Sequence, residues 1–252
     1  MSFEDYFWGP NQGKEYRRFN QLRVSYNTIQ TFRIYTGIIL LFMVLAGLKL
    51  SGDGGWYYYY MTIWGAHFAF FQMPLNYIAA RDQRNRPGDV KGLMFTVWRT
   101  SVWFTPLTLT FQIIITFGYW VFLADKFEGD IAQVLFDALV HILPLAFVTA
   151  DFFMQRWWFR KQQVVATLAV GFLYVIVNYI GTIRKGEPIY YIIPWDPVWI
   201  SILLCLFLGF IFYLLFIGLV NLTKKINRAE LNLYYLIPSS VKFNSCSFIN
   251  QI

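Results

Sequence analysis

Charge and cysteine are the two things that this sequence has little of. Charged residues make up 14% of its 252 residues, against roughly a quarter in an average soluble domain. So few charges cannot cover the surface of a large soluble domain. Cysteine occurs only at Cys205, inside an apolar stretch, and at Cys246, near the end of the chain. Two thiols in such different surroundings exclude a disulfide-rich secreted domain.

Hydrophobic residues are abundant instead, at 57% of the chain, and they gather in six long stretches. The stretches cover about 32–50, 56–79, 101–124, 131–155, 163–183 and 198–221. A helix needs about 20 residues to cross the roughly 30 Å of bilayer hydrocarbon, and each stretch is near that length. The sequence therefore predicts an all-α polytopic membrane bundle of six transmembrane helices.

Basic residues are divided unevenly between the two sides of such a bundle. If both termini lie on one side, the other side holds Lys49, Lys126, Arg184 and Lys185, and the remaining 17 of the 21 Lys and Arg residues lie with the termini. An excess of Lys and Arg marks the inner side, so we predict that both termini are cytoplasmic or matrix-like.

This orientation, together with anionic lipid headgroups, accounts for the net charge of +7. We therefore expect membrane lipids, and not nucleic acid, as partners. The predicted organisation is an inner-side segment at 1–31 with a short amphipathic helix, a six-helix domain at 32–221 and an inner-side tail at 222–252.

Polar side chains within the apolar stretches are the candidates for function, because polar groups are costly in hydrocarbon. They are Thr62, His67, Gln72 and Asn76 in the second stretch, Asp137, His141, Thr149 and Asp151 in the fourth, and Tyr174 and Asn178 in the fifth. Asp137 and His141 are four residues apart and share a helix face, so the carboxylate can orient the imidazole while the Thr62 hydroxyl approaches it. A hydroxyl beside an oriented histidine is typical of nucleophilic catalysis. The alternative is that these groups form packing hydrogen bonds between helices.

The two histidines leave a second chemistry open. His67 and His141 lie at similar predicted depths, roughly 15 Å from the outer ends, and such a pair could ligate a haem. No stretch of small residues accompanies them to admit a porphyrin, and the histidines and carboxylates lack metal-ligand spacing. We therefore expect no cofactor and no metal. Asp151, close to Arg156, is expected to be ion-paired near the inner end.

Three features follow one another in a recognisable order. Thr62-Ile63-Trp64 opens the second stretch, His141 lies in the fourth, and a Tyr-rich segment containing Pro188-Ile189-Tyr190 and Trp195-Asp196 precedes the last. In this order the chain resembles the androgen-induced family of six-span threonine hydrolases, which cleave fatty acid esters of hydroxy fatty acids, and the related Rolling-stone-like membrane proteins. The resemblance implies that Thr62 and His141 are a catalytic pair. The Tyr-rich segment, too rich in proline for a helix, is expected to fold back against the bundle.

Two functions from different classes follow. A small membrane domain without a soluble part suits a non-catalytic accessory subunit of a larger membrane complex, for example in an energy-transducing membrane such as the mitochondrial inner membrane. Neighbouring subunits would then hold both termini; an endomembrane is the other location considered. The alternative is an intramembrane lipid-ester hydrolase in which Thr62 attacks the ester, His141 accepts its proton and Asp137 orients His141. The hydrolase requires Thr62 and His141 to face each other across a cavity open to lipid.

Overall fold

Long α-helices form the framework of the protein. The computed structural model describes residue 6 and residues 22–50, 57–85, 93–122, 131–157 and 159–236. Within these ranges lie six long helices: α1 (Tyr26–Leu50), α2 (Met61–Asn85), α3 (Leu93–Phe122), α4 (Ile131–Met154), α5 (Val164–Lys185) and α6 (Val198–Leu236). Short 3₁₀ turns at Tyr57–Tyr59 and Lys161–Gln163 precede α2 and α5. The all-α class predicted from the sequence is confirmed.

Five of these helices, α1 and α3 to α6, are long and apolar enough to cross a membrane. Such a set indicates an integral membrane protein. The helix outside this set is α2, which packs against α1, α3 and α4. Its polar side chains Gln72 and Asn76 are fully buried between those neighbours. A helix enclosed in this way can carry polar residues on the sides that lipid does not reach.

The helix ends differ from the predicted stretches at two places that matter for the site. Because Tyr57–Tyr59 forms a 3₁₀ turn, α2 begins at Met61 rather than near residue 56, and Thr62 therefore lies in its first turn. At the other end of the chain, α6 continues to Leu236, so the first part of the predicted tail is helical. The amphipathic helix predicted over residues 16–26 lies outside the described residues as far as residue 21; from Leu22 to Ser25 the chain is not helical, and Tyr26 already belongs to α1.

A buried ion pair joins α1 to α4. Arg33 Nε lies 2.6 Å from Asp151 Oδ1, and both side chains have zero exposure. Asn76 of α2 donates a hydrogen bond to the other carboxylate oxygen of Asp151 at 2.6 Å. Asn76 Oδ1 in turn accepts a hydrogen bond from the Ser101 hydroxyl of α3 at 2.5 Å. Arg33 also donates to Gln155 Oε1 at 2.5 Å. These five residues, called the polar cluster below, link four helices by side-chain hydrogen bonds.

The polar cluster refines the prediction made for Asp151. The residue is ion-paired as expected, but its partner is Arg33 on α1, whereas the sequence pointed to Arg156. Helix α4 ends at Met154, so Arg156 lies beyond the helix and does not share a helix face with Asp151. The nearest basic residue along the chain was therefore a poor guide to the partner.

Candidate active site

A hydroxyl and an imidazole meet where α2 begins. Thr62 Oγ1 lies 3.0 Å from His141 Nε2. Thr62 is the second residue of α2, His141 lies in the middle of α4, and the histidine is only 8% exposed. The two helices thus bring the residues of the predicted pair to the hydrogen-bonding distance that a nucleophile and its base require.

The direction of this hydrogen bond follows from the other side of the ring. His141 Nδ1 lies 2.7 Å from the backbone carbonyl oxygen of Asp137, and a carbonyl can only accept a hydrogen bond. Nδ1 therefore carries a proton, and in the neutral imidazole Nε2 keeps its lone pair. Thr62 consequently donates its hydroxyl proton to Nε2. The ring is held in the tautomer that a general base needs.

Asp137 orients the ring through a different atom from the one predicted. The sequence analysis assigned this role to its carboxylate, but the backbone carbonyl is the acceptor. Helical side chains lean toward the N-terminus, over the preceding turn, and this brings the ring of His141 to the carbonyl four residues earlier. Within the described part of the chain, the carboxylate Oδ2 is buried and has no hydrogen-bond partner.

Helix α3 holds His141 from a second side. The ring of Tyr119 stacks on the imidazole with centroids 3.7 Å apart and planes 13° from parallel. One turn earlier, Thr116 donates to the backbone carbonyl oxygen of His141 at 2.5 Å. Neither residue was a candidate from the sequence, because nothing in α3 marks them apart from the surrounding aromatic and hydroxyl residues.

A chain of hydroxyl groups reaches Thr62 from the segment between α5 and α6. The Tyr190 hydroxyl accepts a hydrogen bond from the Met61 backbone N–H at 2.9 Å and interacts with the hydroxyls of Thr62 and Tyr174. Tyr174 in turn donates to the Tyr59 carbonyl at 2.9 Å. Burial raises the pKa of the Tyr190 phenol, so the hydroxyl stays protonated and able to donate at neutral pH.

The Tyr-rich segment folds back against the bundle, as predicted. Trp195 Nε1 donates to Asn178 Oδ1 of α5 at 2.8 Å, and the Tyr191 hydroxyl donates to the Phe122 carbonyl at the end of α3. Asn178 also lies 3.4 Å from the Tyr174 hydroxyl, as expected for two polar residues one turn apart. These contacts hold Tyr190 beside Thr62.

A cavity of about 820 Å³ opens beside Thr62 and His141. Its walls come mainly from α3, α5, α6 and the Tyr-rich segment, and most of the side chains are apolar. The volume falls within the roughly 300–1,000 Å³ that is usual for small-molecule sites. Phe172 of α5 and Leu206 of α6 line it and are also 67% and 66% exposed. The cavity therefore reaches the apolar outer surface of the bundle.

The second histidine has other partners. His67 Nδ1 lies 2.7 Å from the Ile63 carbonyl oxygen in its own helix, and its ring lies 6.3 Å from that of Tyr58. Both ring nitrogens of His141 are already hydrogen-bonded, so haem ligation would require one of these bonds to break. In the described ranges, no group of three or more His, Cys, Asp or Glu side chains is arranged to hold a metal ion.

Comparisons with known proteins add no relative. No family model, curated protein or solved structure matches the chain. The resemblance to the androgen-induced family therefore stays a prediction. The function has to be argued from the geometry around Thr62 and His141.

Proposed function

We propose that this protein is an intramembrane threonine-type hydrolase that cleaves lipid esters. The observation that carries the proposal is the 3.0 Å separation of Thr62 Oγ1 and His141 Nε2 beside a largely apolar cavity of about 820 Å³. A packing hydrogen bond between helices would require neither a histidine fixed in the basic tautomer nor open space next to the hydroxyl.

The reaction proceeds by two transfers of the acyl group. In the first, His141 Nε2 takes the hydroxyl proton of Thr62 as Oγ1 attacks the ester carbonyl carbon, and the imidazolium then gives this proton to the leaving alkoxide. The acyl group is left as an ester on Thr62. In the second, His141 takes a proton from a water molecule whose oxygen attacks the acyl carbon. That proton returns to Thr62 Oγ1 as the carboxylic acid leaves.

Two features stabilise the charges that develop. The Tyr190 hydroxyl, held next to Thr62 by the Met61 N–H, can donate to the negative carbonyl oxygen of the tetrahedral intermediate. The first turn of α2 adds the positive end of the helix dipole, about half an elementary charge. On the other side, the Asp137 carbonyl accepts from Nδ1–H and stabilises the imidazolium formed in each step.

The same proposal includes six membrane crossings with both termini on the inner side. Five helices are long and apolar enough to cross, and α2, with 25 residues, has a length of about 37 Å, which exceeds the hydrocarbon thickness. The excess of 17 basic residues over 4 supports the orientation. The order of Thr62, His141 and the Tyr-rich segment supports kinship with the androgen-induced family of threonine hydrolases.

The accessory-subunit function stays a prediction. It rests on the low share of charged residues, 14% of the chain, and no contact among the described residues bears on it. The neighbouring subunits at both termini, and the choice between the mitochondrial inner membrane and an endomembrane, stay predictions with it.

Hydrolysis by the purified full-length chain in nanodiscs tests the proposal. With a fluorogenic long-chain ester, we expect product release by the wild type and a loss of about 10³-fold or more in Thr62→Ala and His141→Ala. A stalled acyl group should be found by mass spectrometry on the peptide containing Thr62. Thr110→Ala is the matched control, because its hydroxyl bonds to the Pro106 carbonyl of its own helix at 2.7 Å.

Two outcomes would refute the hydrolase. One is wild-type protein that releases no product from any ester chain length while remaining folded. The other is turnover in Thr62→Ala equal to that in Thr110→Ala.

A further inference from the structure

Polar side chains line the contact between α2 and α3. On α3 they recur every three or four residues and so share one face of the helix: Ser101, Thr105, Thr108, Gln112 and Thr116. The first four are buried, with at most 1% of each residue exposed. On α2 the corresponding face carries Asn76, Gln72, Ala69, Gly65 and Thr62. These two sets of residues together are called the polar seam below.

Two contacts show how the two faces meet. Ser101 donates a hydrogen bond to Asn76 Oδ1 at 2.5 Å, and a Cβ atom built on Gly65 would lie only 2.9 Å from Gln112 Nε2. Eleven positions separate these contacts on each helix, so α2 and α3 run antiparallel and stay in step between them. Each position of α2 between the two contacts therefore has a definite counterpart on α3.

Two amide groups in the polar seam need a hydrogen-bonding ligand. Gln72 has zero exposure, and within the described part of the chain neither its amide oxygen nor its amide nitrogen has a hydrogen-bond partner. The same holds for the amide nitrogen of Gln112. Burying an amide without hydrogen bonds is costly, and internal water is the usual partner of such groups. Water suits Gln72 because it can both donate to the oxygen and accept from the nitrogen.

Hydroxyl groups of α3 lie beside the Gln72 amide. In the register set by the two contacts, Gln72 lies at the level of Thr105 and Ala69 at the level of Thr108. The Thr108 hydroxyl donates to the Phe104 carbonyl at 2.9 Å and keeps its lone pairs as acceptors. A water molecule between Gln72 and these hydroxyls therefore finds the two to four polar partners that a buried water requires.

Proline adds backbone acceptors to the same stretch of both helices. Pro74 lies inside α2 and Pro106 inside α3, and each removes one helical hydrogen bond. The carbonyl groups of Phe70 and Val102, four residues earlier, thus lack their helical donors. In membrane helices such carbonyls are satisfied by neighbouring side chains or by ordered water.

The polar seam joins the polar cluster to the candidate active site. At one end, Asn76 and Ser101 belong to the polar cluster. At the other end, Thr62 bonds to His141 Nε2 at 3.0 Å, and Thr116 donates to the His141 carbonyl at 2.5 Å. The distance along α2 from Asn76 to Thr62 is about 21 Å at the usual helical rise. The apolar cavity beside Thr62, in contrast, opens toward hydrocarbon and is a poor source of water.

From the unpartnered amides and the register of the two helices we infer that the polar seam holds a row of internal water molecules, bound by Gln72 and Gln112, between the polar cluster and His141. A water molecule from this row attacks the acyl group on Thr62. Its oxygen bonds to the acyl carbon, its proton passes to His141 Nε2 and then to Thr62 Oγ1, and the bond from Oγ1 to the acyl carbon breaks. Gln72 and Gln112 are thus positioning residues for the hydrolytic water. This delivery rests on the proposed function, but the hydration of the polar seam does not.

X-ray radiolysis in nanodiscs tests the hydration without relying on hydrolysis. The X-ray pulse turns bound water into hydroxyl radicals, which oxidise the side chains that touch it. The reporter is a thiol, Thr108→Cys, in the full-length chain with Cys205→Ala and Cys246→Ala, and its oxidation is measured by mass spectrometry.

Thr110→Cys in the same background is the matched control. Thr108 and Thr110 are both completely buried, and each donates to the carbonyl four residues earlier in α3, at 2.9 Å and 2.7 Å. Two positions along a helix turn the side chain to the opposite side, so Thr110 lies away from the polar seam.

We expect the thiol of Thr108→Cys to be oxidised several-fold more than that of Thr110→Cys. Gln72→Met, which keeps the length of the side chain but cannot hold water by hydrogen bonds, should lower the oxidation of Thr108→Cys to the control level. Equal oxidation of the two reporters overturns the inference, and this comparison does not depend on the folding of Gln72→Met. Oxidation of Thr108→Cys that Gln72→Met leaves unchanged overturns the assignment of Gln72.

The fate of the acyl group tests the delivery of water to Thr62. Dodecanol dissolved in the bilayer competes with water for the acyl group and yields a dodecyl ester in place of the carboxylic acid. Gln72→Met should lower the ratio of acid to dodecyl ester several-fold and keep the initial burst of the first product, whereas Thr110→Ala should keep the wild-type ratio. A purely structural role of Gln72 would lower both products alike. An unchanged ratio in Gln72→Met overturns the delivery through the polar seam.

The two experiments separate this inference from the proposed function. A difference between the two thiol reporters, without turnover of any ester by the wild type, refutes the hydrolase and leaves a hydrated polar seam. Ester turnover together with equal oxidation of the reporters refutes the hydrated seam and leaves the hydrolase.

Discussion

Replacing Asp151 with Asn tests how much the ion pair of the polar cluster contributes to the stability of the folded protein. The change keeps the shape of the side chain and an acceptor for Asn76, but it removes the negative charge that lies 2.6 Å from Arg33 Nε. Arg33, only 1% exposed, would keep acceptors at the Asn76 carbonyl and at Gln155 but no counter-charge. A guanidinium cannot shed its proton, and breaking one half of a buried ion pair costs about 3–5 kcal/mol.

Thermal unfolding of the purified protein in detergent measures this cost. For a chain of this size about 1 kcal/mol corresponds to 2–4 °C, so Asp151→Asn is expected to lower Tm by roughly 6–20 °C. The double variant Arg33→Met with Asp151→Leu removes both charges and should recover most of the loss. Glu187→Gln is the control, because its pair with Lys185 at 2.7 Å is exposed and such pairs contribute at most about 1 kcal/mol.

Either of two results would refute this reasoning. A decrease in Tm no larger than that of Glu187→Gln would mean that water or another group compensates the charge of Arg33. A double variant as unstable as Asp151→Asn would mean that the shapes of the two side chains, and not their charges, hold α1 against α4.

Three further predictions concern the candidate active site. Tyr190→Phe should lower ester turnover about 10²–10³-fold, as the loss of one oxyanion donor does; a loss of less than tenfold would assign Tyr190 to packing. Asp137→Asn should keep turnover within about tenfold because the backbone carbonyl orients His141, whereas a loss near 10⁴-fold would indicate a carboxylate acting as in a catalytic triad. Burial raises the pKa of Tyr190 above its ordinary value near 10, and a phenol donates only below its pKa. Turnover by the wild type should therefore not fall between pH 7 and pH 10 through loss of the Tyr190 proton. A fall in this range that is present in the wild type and absent in Tyr190→Phe would contradict the buried position of the hydroxyl.

The length of the apolar stretches was enough to predict the helices. Five of the six expected stretches correspond to helices that are long and apolar enough to span, because length and hydropathy depend on sequence alone. The remaining stretch, the second along the chain, forms helix α2 but is too polar for that criterion. This polarity is explained by the burial of Gln72 and Asn76, which face other helices and not lipid.

The partners of the polar residues were harder to predict. Arg33 was counted among the residues that orient the inner side, but it is buried against Asp151, 118 positions away in sequence. The Met61–Tyr190 contact spans 129 positions. Contacts at such separations follow from the packing of whole helices, which no local pattern encodes. Thr62 and His141 could be predicted as a pair because a hydroxyl beside an oriented histidine is typical of nucleophilic catalysis.

Helices α2 and α4 are joined by polar side-chain contacts at two levels. Near the start of α2, Thr62 bonds to His141 at 3.0 Å, and fourteen residues later Asn76 bonds to Asp151 at 2.6 Å. Two fixed points prevent one helix from sliding or rotating along the other, since either motion would leave a buried polar group without its partner. The polar cluster thus has a consequence beyond stability. It holds the register of α2 against α4, and this register sets the distance between the Thr62 hydroxyl and the base that would activate it.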